Sequence, residues 1–165
     1  MKTIIIALDY SPNAETVAKT GYELAKVMNT RTILLHVVTD PNYYASLKYS
    51  PIFGFDNFSS INLIQADTDE QLEVASYKYL EKVKRVLGDA TIETVVKNGE
   101  SGDTILSAAT ELNADILVMG THSRSGFEKI LLGSVTENVL RNSLIPVFII
   151  PIKTIEQTDK DKIKK

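Results

Sequence analysis

Short apolar runs alternate with stretches of helical periodicity along the whole chain, and this alternation constrains the fold more than any other feature. Residues 4–8 (IIIAL) form a mostly β-branched run of the kind buried on both faces of a sheet. Ser11-Pro12 follows, offering a side-chain oxygen to cap a helix and a proline suited to its first turn. Ala14, Val17, Ala18, Gly21, Ala25 and Met28 then recur at three- and four-residue spacing and predict an apolar helix face. Residues 32–38 (TILLHVV) predict the second strand. A second helix is expected from about 68 to 87, with Leu72, Ala75, Tyr79, Val83 and Val86 as its stripe and Gly88 just beyond its end. Residues 91–96 predict the third strand, with Gly99 and Gly102 breaking the chain after it. Ile105, Ala108, Ala109 and Leu112 mark a third helix, residues 116–119 the fourth strand, 134–142 a fourth helix and 146–150 the last strand.

Strands that alternate with helices imply an open, parallel five-stranded sheet with helices on both faces, a Rossmann-like α/β fold. Each right-handed crossover must lay its helix on the sheet. A chain of 165 residues fits one such domain, expected to span residues 1–152. Residues 153–165 (ending DKDKIKK) lack an apolar stripe and read as a flexible tail.

Composition narrows the function classes. With 44% hydrophobic and 24% charged residues, the chain is neither disordered nor fibrous. Eighteen basic against 21 acidic residues leave a net charge of −3, which argues against a protein held on nucleic acid by phosphate contacts. No apolar run approaches the ~18 residues of a membrane span, and the N-terminal run is too short for a secretory segment. The absence of cysteine excludes disulfides, thiolate catalysis and thiolate zinc sites. A cytoplasmic protein is the expectation.

In parallel α/β sheets, ligands bind beyond the carboxyl ends of the strands, where the winding reverses. The loops after Leu8, Val38, Val96 and Met119 are therefore the places to search. The loop after the fourth strand is the most informative, running from Gly120 through His122, Ser123, Arg124, Gly126 and Lys129 to Gly133-Ser134-Val135. Gly120 allows a sharp turn at the strand end. Gly133-Ser134 opens a helix, and Ser134 with Glu137 has capping-box spacing. Amides at such a helix start, with the positive end of its dipole, suit an anion such as phosphate. Gly133 lets phosphate oxygens approach the main chain, and the same residues can equally serve only to cap the helix. No G-x-x-x-x-G-K-[ST] or G-x-G-x-x-G pattern is present, which disfavours P-loop and dinucleotide enzymes.

Residues 39–66 form a long connection carrying Tyr43, Tyr44, Tyr49, Phe53, Phe55 and Phe58, six of the twelve aromatic residues. This content predicts a flap packed on the domain's own core, or a lid over a ligand or partner. His36 lies inside a strand, where it reads as a packed or hydrogen-bonded residue. His122, Arg124 and Lys129 can touch or neutralise phosphate, or simply face solvent.

Taken together, these segments resemble the universal stress protein family over nearly the whole chain. Its ATP-binding members carry G-x2-G-x9-G-[ST] after the fourth strand. Here Gly120, Ser123, nine further residues and Gly133-Ser134 reproduce the spacing, with Ser123 in place of the second glycine. Gly126 can take over the loop's flexibility. The LLGSVTENVL segment, the proline before the final strand, the first strand ending in Asp9 and the LLHVV of the second strand are also similar.

The resemblance implies an ATP site built from these residues. Asp9 contacts the nucleoside, with Ala7 lining that side, although Asp9 can also act as a cap for the first helix. The backbone of Val37 holds adenine. Gly120, Ser123, Gly133, Ser134 and Val135 surround the triphosphate, and Met119, His122, Arg124 and Gly126 complete the nucleotide-binding set. Mg²⁺ or Mn²⁺ is held mainly by phosphate oxygens. No separate carboxylate cluster or catalytic set is apparent, so a regulatory protein with at most slow ATP hydrolysis is implied. Val147, Phe148, Ile149 and Ile150 form an apolar last strand at a sheet edge, implied to pair with its copy in a homodimer. Members that lack the motif do not bind ATP. A nucleotide-free scaffold acting through flap and dimer surfaces therefore stands as the alternative, with an adenylate-forming enzyme third.

Overall fold

The computed structural model describes residues 2–11, 13–39, 69–121 and 132–152. In chain order the elements are β1 (Thr3–Ala7), α1 (Ala14–Met28), β2 (Arg31–Val38), α2 (Asp69–Leu87), β3 (Glu93–Asn98), α3 (Ser101–Glu111), β4 (Ile116–Gly120), α4 (Ser134–Asn142) and β5 (Val147–Ile150). All pairings are parallel and the strand order is β3-β2-β1-β4-β5, the doubly wound sheet anticipated from the alternation.

The pleat sorts the core into two layers. Ile4, Ile6, Leu8, Leu34 and Val38 face α1 and α2, where they meet Val17, Ala18, Leu72, Tyr79 and Val83. Ile5, Ile33, Leu35 and Val37 face α3 and α4, where they meet Ile105, Ala108, Ala109 and Val139. The three consecutive isoleucines of β1 are completely buried, as the central strand of a sheet covered on both faces requires.

Several local expectations shift. The third strand starts two residues later than 91–96, because Thr91 is held in a turn. Its amide and hydroxyl both donate to Asp89 Oδ1, at 2.8 and 2.6 Å. Pairing then runs on through the polar Lys97 and Asn98, which lie opposite Val37 and Val38. Gly102 sits inside α3, where a Cβ would come 2.8 Å from Asn138 Nδ2, so it serves close packing and does not break the chain. Ser11 does not cap α1. Its carbonyl accepts from Ala14 N at 3.1 Å, and Asn13 occupies the cap position without a side-chain hydrogen bond. Met28 and Val86 lie outside the buried stripes, whereas Leu80 and Ser76 lie inside. Gly88 adopts φ +73 and closes α2 through its amide, which reaches Lys84 and Arg85 carbonyls, as expected for a helix end.

Strand β5 forms one edge of the sheet. Of its four residues only Ile150 is buried, and Phe148 is 44% exposed. The predicted flap and tail, apart from Thr39, lie outside the described residues.

Candidate functional site

The chain leaves β1 towards β2 and leaves β4 towards β5, so the winding reverses between these two neighbouring strands. A crevice at such a reversal opens at the strands' carboxyl ends. Ala7, Leu8 and Asp9 form its β1 rim; Met119, Gly120 and Thr121 form its β4 rim. β2 overhangs this edge. Its ladder with β1 ends at Ala7 opposite Leu35, while its ladder with β3 continues to Val38.

On the β4 rim, the first turn of α4 is fastened to the strand end. Thr136 is buried, and its hydroxyl donates to the Gly120 carbonyl at 3.2 Å. The next residue, Thr121, is pinned twice: its amide donates to Ile150 O at 3.0 Å, and its Oγ1 accepts from Ile152 N at 2.8 Å. Gly120 is required by close packing, not by a turn, since its φ is not positive. A Cβ there would lie 2.8 Å from Val17 Cγ2 on α1.

Gly133, in extended conformation, is the cap residue of α4, and Ser134 is its first helical residue. The expected Ser134–Glu137 capping box is absent. Glu137 N donates to Gly133 O at 2.9 Å, and the Glu137 side chain reaches forward to Arg141 at 2.7 Å. The amides of Ser134, Val135 and Thr136 have no hydrogen-bond acceptor among the described residues. They form an outward-directed row of donors at the positive end of the helix. Val135 and Ala7 are partly buried against the cluster that contains Val37 and Met119, on the α3 and α4 face of the sheet.

On the β1 rim, Asp9 is exposed. Its Oδ1 accepts from Ser11 N at 3.0 Å, an Asx turn two residues along, so the carboxylate caps this turn and not α1. Beneath it lies a group of buried polar aromatics. His36 Nδ1 bonds the Leu8 carbonyl at 2.8 Å, and Tyr79 Oη donates to the Asp9 carbonyl at 2.8 Å. Ser76 gives its proton to Leu72 O, so Tyr10 donates to Ser76 Oγ at 2.7 Å. The rings of Tyr10 and His36 lie 4.3 Å apart. Because a carbonyl only accepts, His36 Nδ1 carries the proton, leaving Nε2 bare, buried and without a partner among the described residues. Burial pushes the His36 pKa down, outweighing the opposing effects of the Leu8 carbonyl and the Asp9 charge. Burial, followed by the charge of Asp9, raises the Tyr79 pKa well above the ordinary phenol range, keeping it a donor.

The fold thus gathers Ala7, Asp9, Val37, Met119, Gly120, Gly133, Ser134 and Val135 around one sheet edge. His122, Ser123, Arg124, Gly126 and Lys129 lie outside the described residues. Among the described residues no cluster of three or more histidine or acidic side chains could hold a metal ion, and no helix is long and apolar enough to cross a membrane.

The sequence profile of the Universal stress protein family matches residues 1–151. This chain belongs to that family. Universal stress protein MJ0577 of Methanocaldococcus jannaschii is 27% identical over 155 residues, covering 92% of this chain and 96% of the relative. Universal stress protein MJ0531 of the same organism is 31% identical over 151 residues, covering 90% and 81%. A solved structure of MJ0577 superposes with a TM-score of 0.67, covering 93% of this chain and 97% of the other. Two more distant structures share the fold. One is a universal stress protein in complex with cAMP (TM-score 0.55, 23% identity, 90% and 95% covered). The other is the universal stress protein of Archaeoglobus fulgidus in complex with dAMP (0.53, 24%, 91% and 97%).

In this universal stress protein, Thr121, Thr136, Tyr10, Ser76 and Tyr79 were not among the residues singled out for the site. Thr136, two residues after the recognised Gly-Ser pair, was the one with a local signal. Tyr79 looks like any apolar stripe residue, and its acceptor lies 70 positions away.

Proposed function

We propose that this universal stress protein binds an adenine nucleotide, ATP with Mg²⁺ or Mn²⁺, at the crevice between β1 and β4. In this reading it acts as a regulatory homodimer in the cytoplasm with at most slow hydrolysis. The observation that carries the reading is the start of α4. Three consecutive amides, of Ser134, Val135 and Thr136, point away from a helix whose first turn is bonded to the end of β4. Such a row accepts phosphate oxygens. Asp9 on the opposite rim suits ribose hydroxyls, and Ala7 with the backbone of Val37 suits a base. Relatives of the same fold in complex with cAMP and dAMP support adenine nucleotides as the ligand class to test. Any divalent ion would be held mainly by the phosphates, since the described part of the crevice offers one exposed carboxylate, Asp9.

Homodimer formation is supported by the place of β5 at the sheet edge, with no strand beyond it among the described residues. Exposed apolar side chains on both sides of the sheet also support it, Phe148 on the α1 face and Leu140 and Leu144 in and after α4; Leu144 is 99% exposed. The nucleotide-free scaffold is favoured by one feature, Ser123 in the position of a motif glycine. Calorimetric titration of the full chain with ATP and Mg²⁺, together with mass spectrometry of small molecules released on denaturation, tests the reading. Saturable heat or recovered ATP or ADP supports it. No heat at millimolar ATP and no released nucleotide would leave the scaffold in its place.

A further inference from the structure

Asp9 sits between two peptide groups, and each is held by a buried side chain from a different element. The peptide before its Cα carries the Leu8 carbonyl, bonded by His36 Nδ1 of β2 at 2.8 Å. The peptide after it carries the Asp9 carbonyl, bonded by Tyr79 Oη of α2 at 2.8 Å. Since peptide groups are planar, fixing both planes fixes φ and ψ of the residue between them, and with them the direction of its Cα–Cβ bond. Two further bonds support the arrangement: Leu8 N donates to Leu35 O at 2.9 Å, and Tyr10 Oη donates to Ser76 Oγ at 2.7 Å. Ser76 and Tyr79 are three residues apart on α2 and so share one face of that helix. His36 is 3% exposed and Tyr79 1%, so water does not compete for these bonds.

A buried imidazole and a buried phenol are costly groups to place in an apolar layer, where leucine or phenylalanine would pack without polar atoms. His36 even leaves Nε2 without a partner among the described residues. Both groups spend their donors on successive carbonyls that flank the exposed Asp9. We propose that His36 and Tyr79 are positioning residues that hold the Asp9 carboxylate in its ligand-facing direction before any ligand arrives. This rests on the nucleotide reading for the identity of the ligand, whereas the order of the turn is measurable without one.

The experiment uses the full chain and measures amide hydrogen exchange at Leu8 to Ser11 without ligand, then calorimetric affinity for ATP with Mg²⁺. Tyr79→Phe keeps the ring and removes the donor. It is expected to speed exchange at these amides about five-fold, leave Ile4 to Ile6 protected, and weaken nucleotide affinity by a similar factor. His36→Asn places an amide nitrogen where Nδ1 stood and is expected to retain order that His36→Leu loses. Tyr22→Phe, which removes a tyrosine hydrogen bond to Asp89 elsewhere, should change neither reading. Unchanged exchange in Tyr79→Phe, equal loosening throughout β1, or local loosening without loss of affinity would each overturn the proposal. Equal loss in His36→Asn and His36→Leu would overturn the role of His36. Local loosening in a chain whose wild type binds no nucleotide supports the clamp and overturns the nucleotide reading instead.

Discussion

The hydroxyl of Thr136 donates to the carbonyl of Gly120 at 3.2 Å, joining the first turn of α4 to the last residue of β4. A helix start can serve as an anion site only if its amides stay put relative to the opposite rim. Thr136→Val keeps the shape of the side chain and removes this bond from a buried position. The expected loss is about 1 kcal/mol of unfolding free energy, read as a lower urea midpoint with unchanged slope. An unchanged midpoint would show that the bond contributes nothing net.

Gly120 is held to glycine by α1. In Gly120→Ala the new methyl group would lie 2.8 Å from Val17 Cγ2. Overpacking of this kind costs typically about 1–3 kcal/mol, and Val17→Ala in the same chain should recover much of it. Thermal unfolding of the single and double variants checks this. If the second substitution only adds to the loss, the contact with Val17 is not the cause.

The layered sheet was legible because β1 and β2 carry near-continuous apolar runs, residues 4–8 and residues 33–38 interrupted by His36, while α1 and α3 carry one-sided stripes. The start of α4 was legible because Gly133-Ser134 breaks the chain just before helical periodicity resumes. Errors arose where side chains compete locally with the backbone. Thr91 was taken by Asp89, which moved β3, and Gly133 took the cap position expected of Ser134. The clamp on Asp9 was invisible for a different reason. His36 and Tyr79 sit at positions whose periodicity asks only for burial, and their acceptors are main-chain carbonyls 28 and 70 residues away.

Burial lowers the His36 pKa from its ordinary 6.5. Below about pH 6.5 the unfolded chain therefore takes up a proton that the folded chain refuses. The stability contributed by neutral His36 is complete above that value and is lost as pH falls towards the folded-state pKa. The slope from this one proton is at most about 1.4 kcal/mol per pH unit. Asp89 and Glu93, held low by hydrogen bonds from Thr91 and Arg31, lose their contributions only at lower pH, below about 4.5. Denaturant unfolding between pH 7 and 5 should accordingly flatten in His36→Asn relative to wild type. Parallel curves for the two proteins would remove His36 as the titrating group.

Gly133 has φ −69 and ψ 160, a conformation open to any residue, and it occupies the cap position of α4. Aspartate is among the best residues for such a position, so Gly133→Asp should fold at least as well as wild type. Its carboxylate, however, competes for the amides of the first turn and repels phosphate. At ATP concentrations about 100 times the dissociation constant, wild type should gain about 2.7 kcal/mol, a melting shift of roughly 5–10 °C for a chain of this size. The variant should show little or none. Equal shifts in both proteins would place the phosphates elsewhere.

Phe148 is 44% exposed on the edge strand β5, on the sheet face that Ile150 shares with α1. Among the described residues, one row of strand hydrogen-bonding groups and the apolar strip to which Phe148 belongs stand open at this edge. A copy related by a two-fold axis presents the same row and strip in antiparallel orientation, so both are satisfied at once. Wild type should then sediment at twice the 18.3 kDa chain mass. Phe148→Glu puts two like charges near the axis of that pairing and should shift the population to single chains at micromolar concentration. Its circular dichroism should be unchanged, because the side chain is largely outside the core. A wild type that sediments as one chain at every concentration tested would leave the edge without this partner.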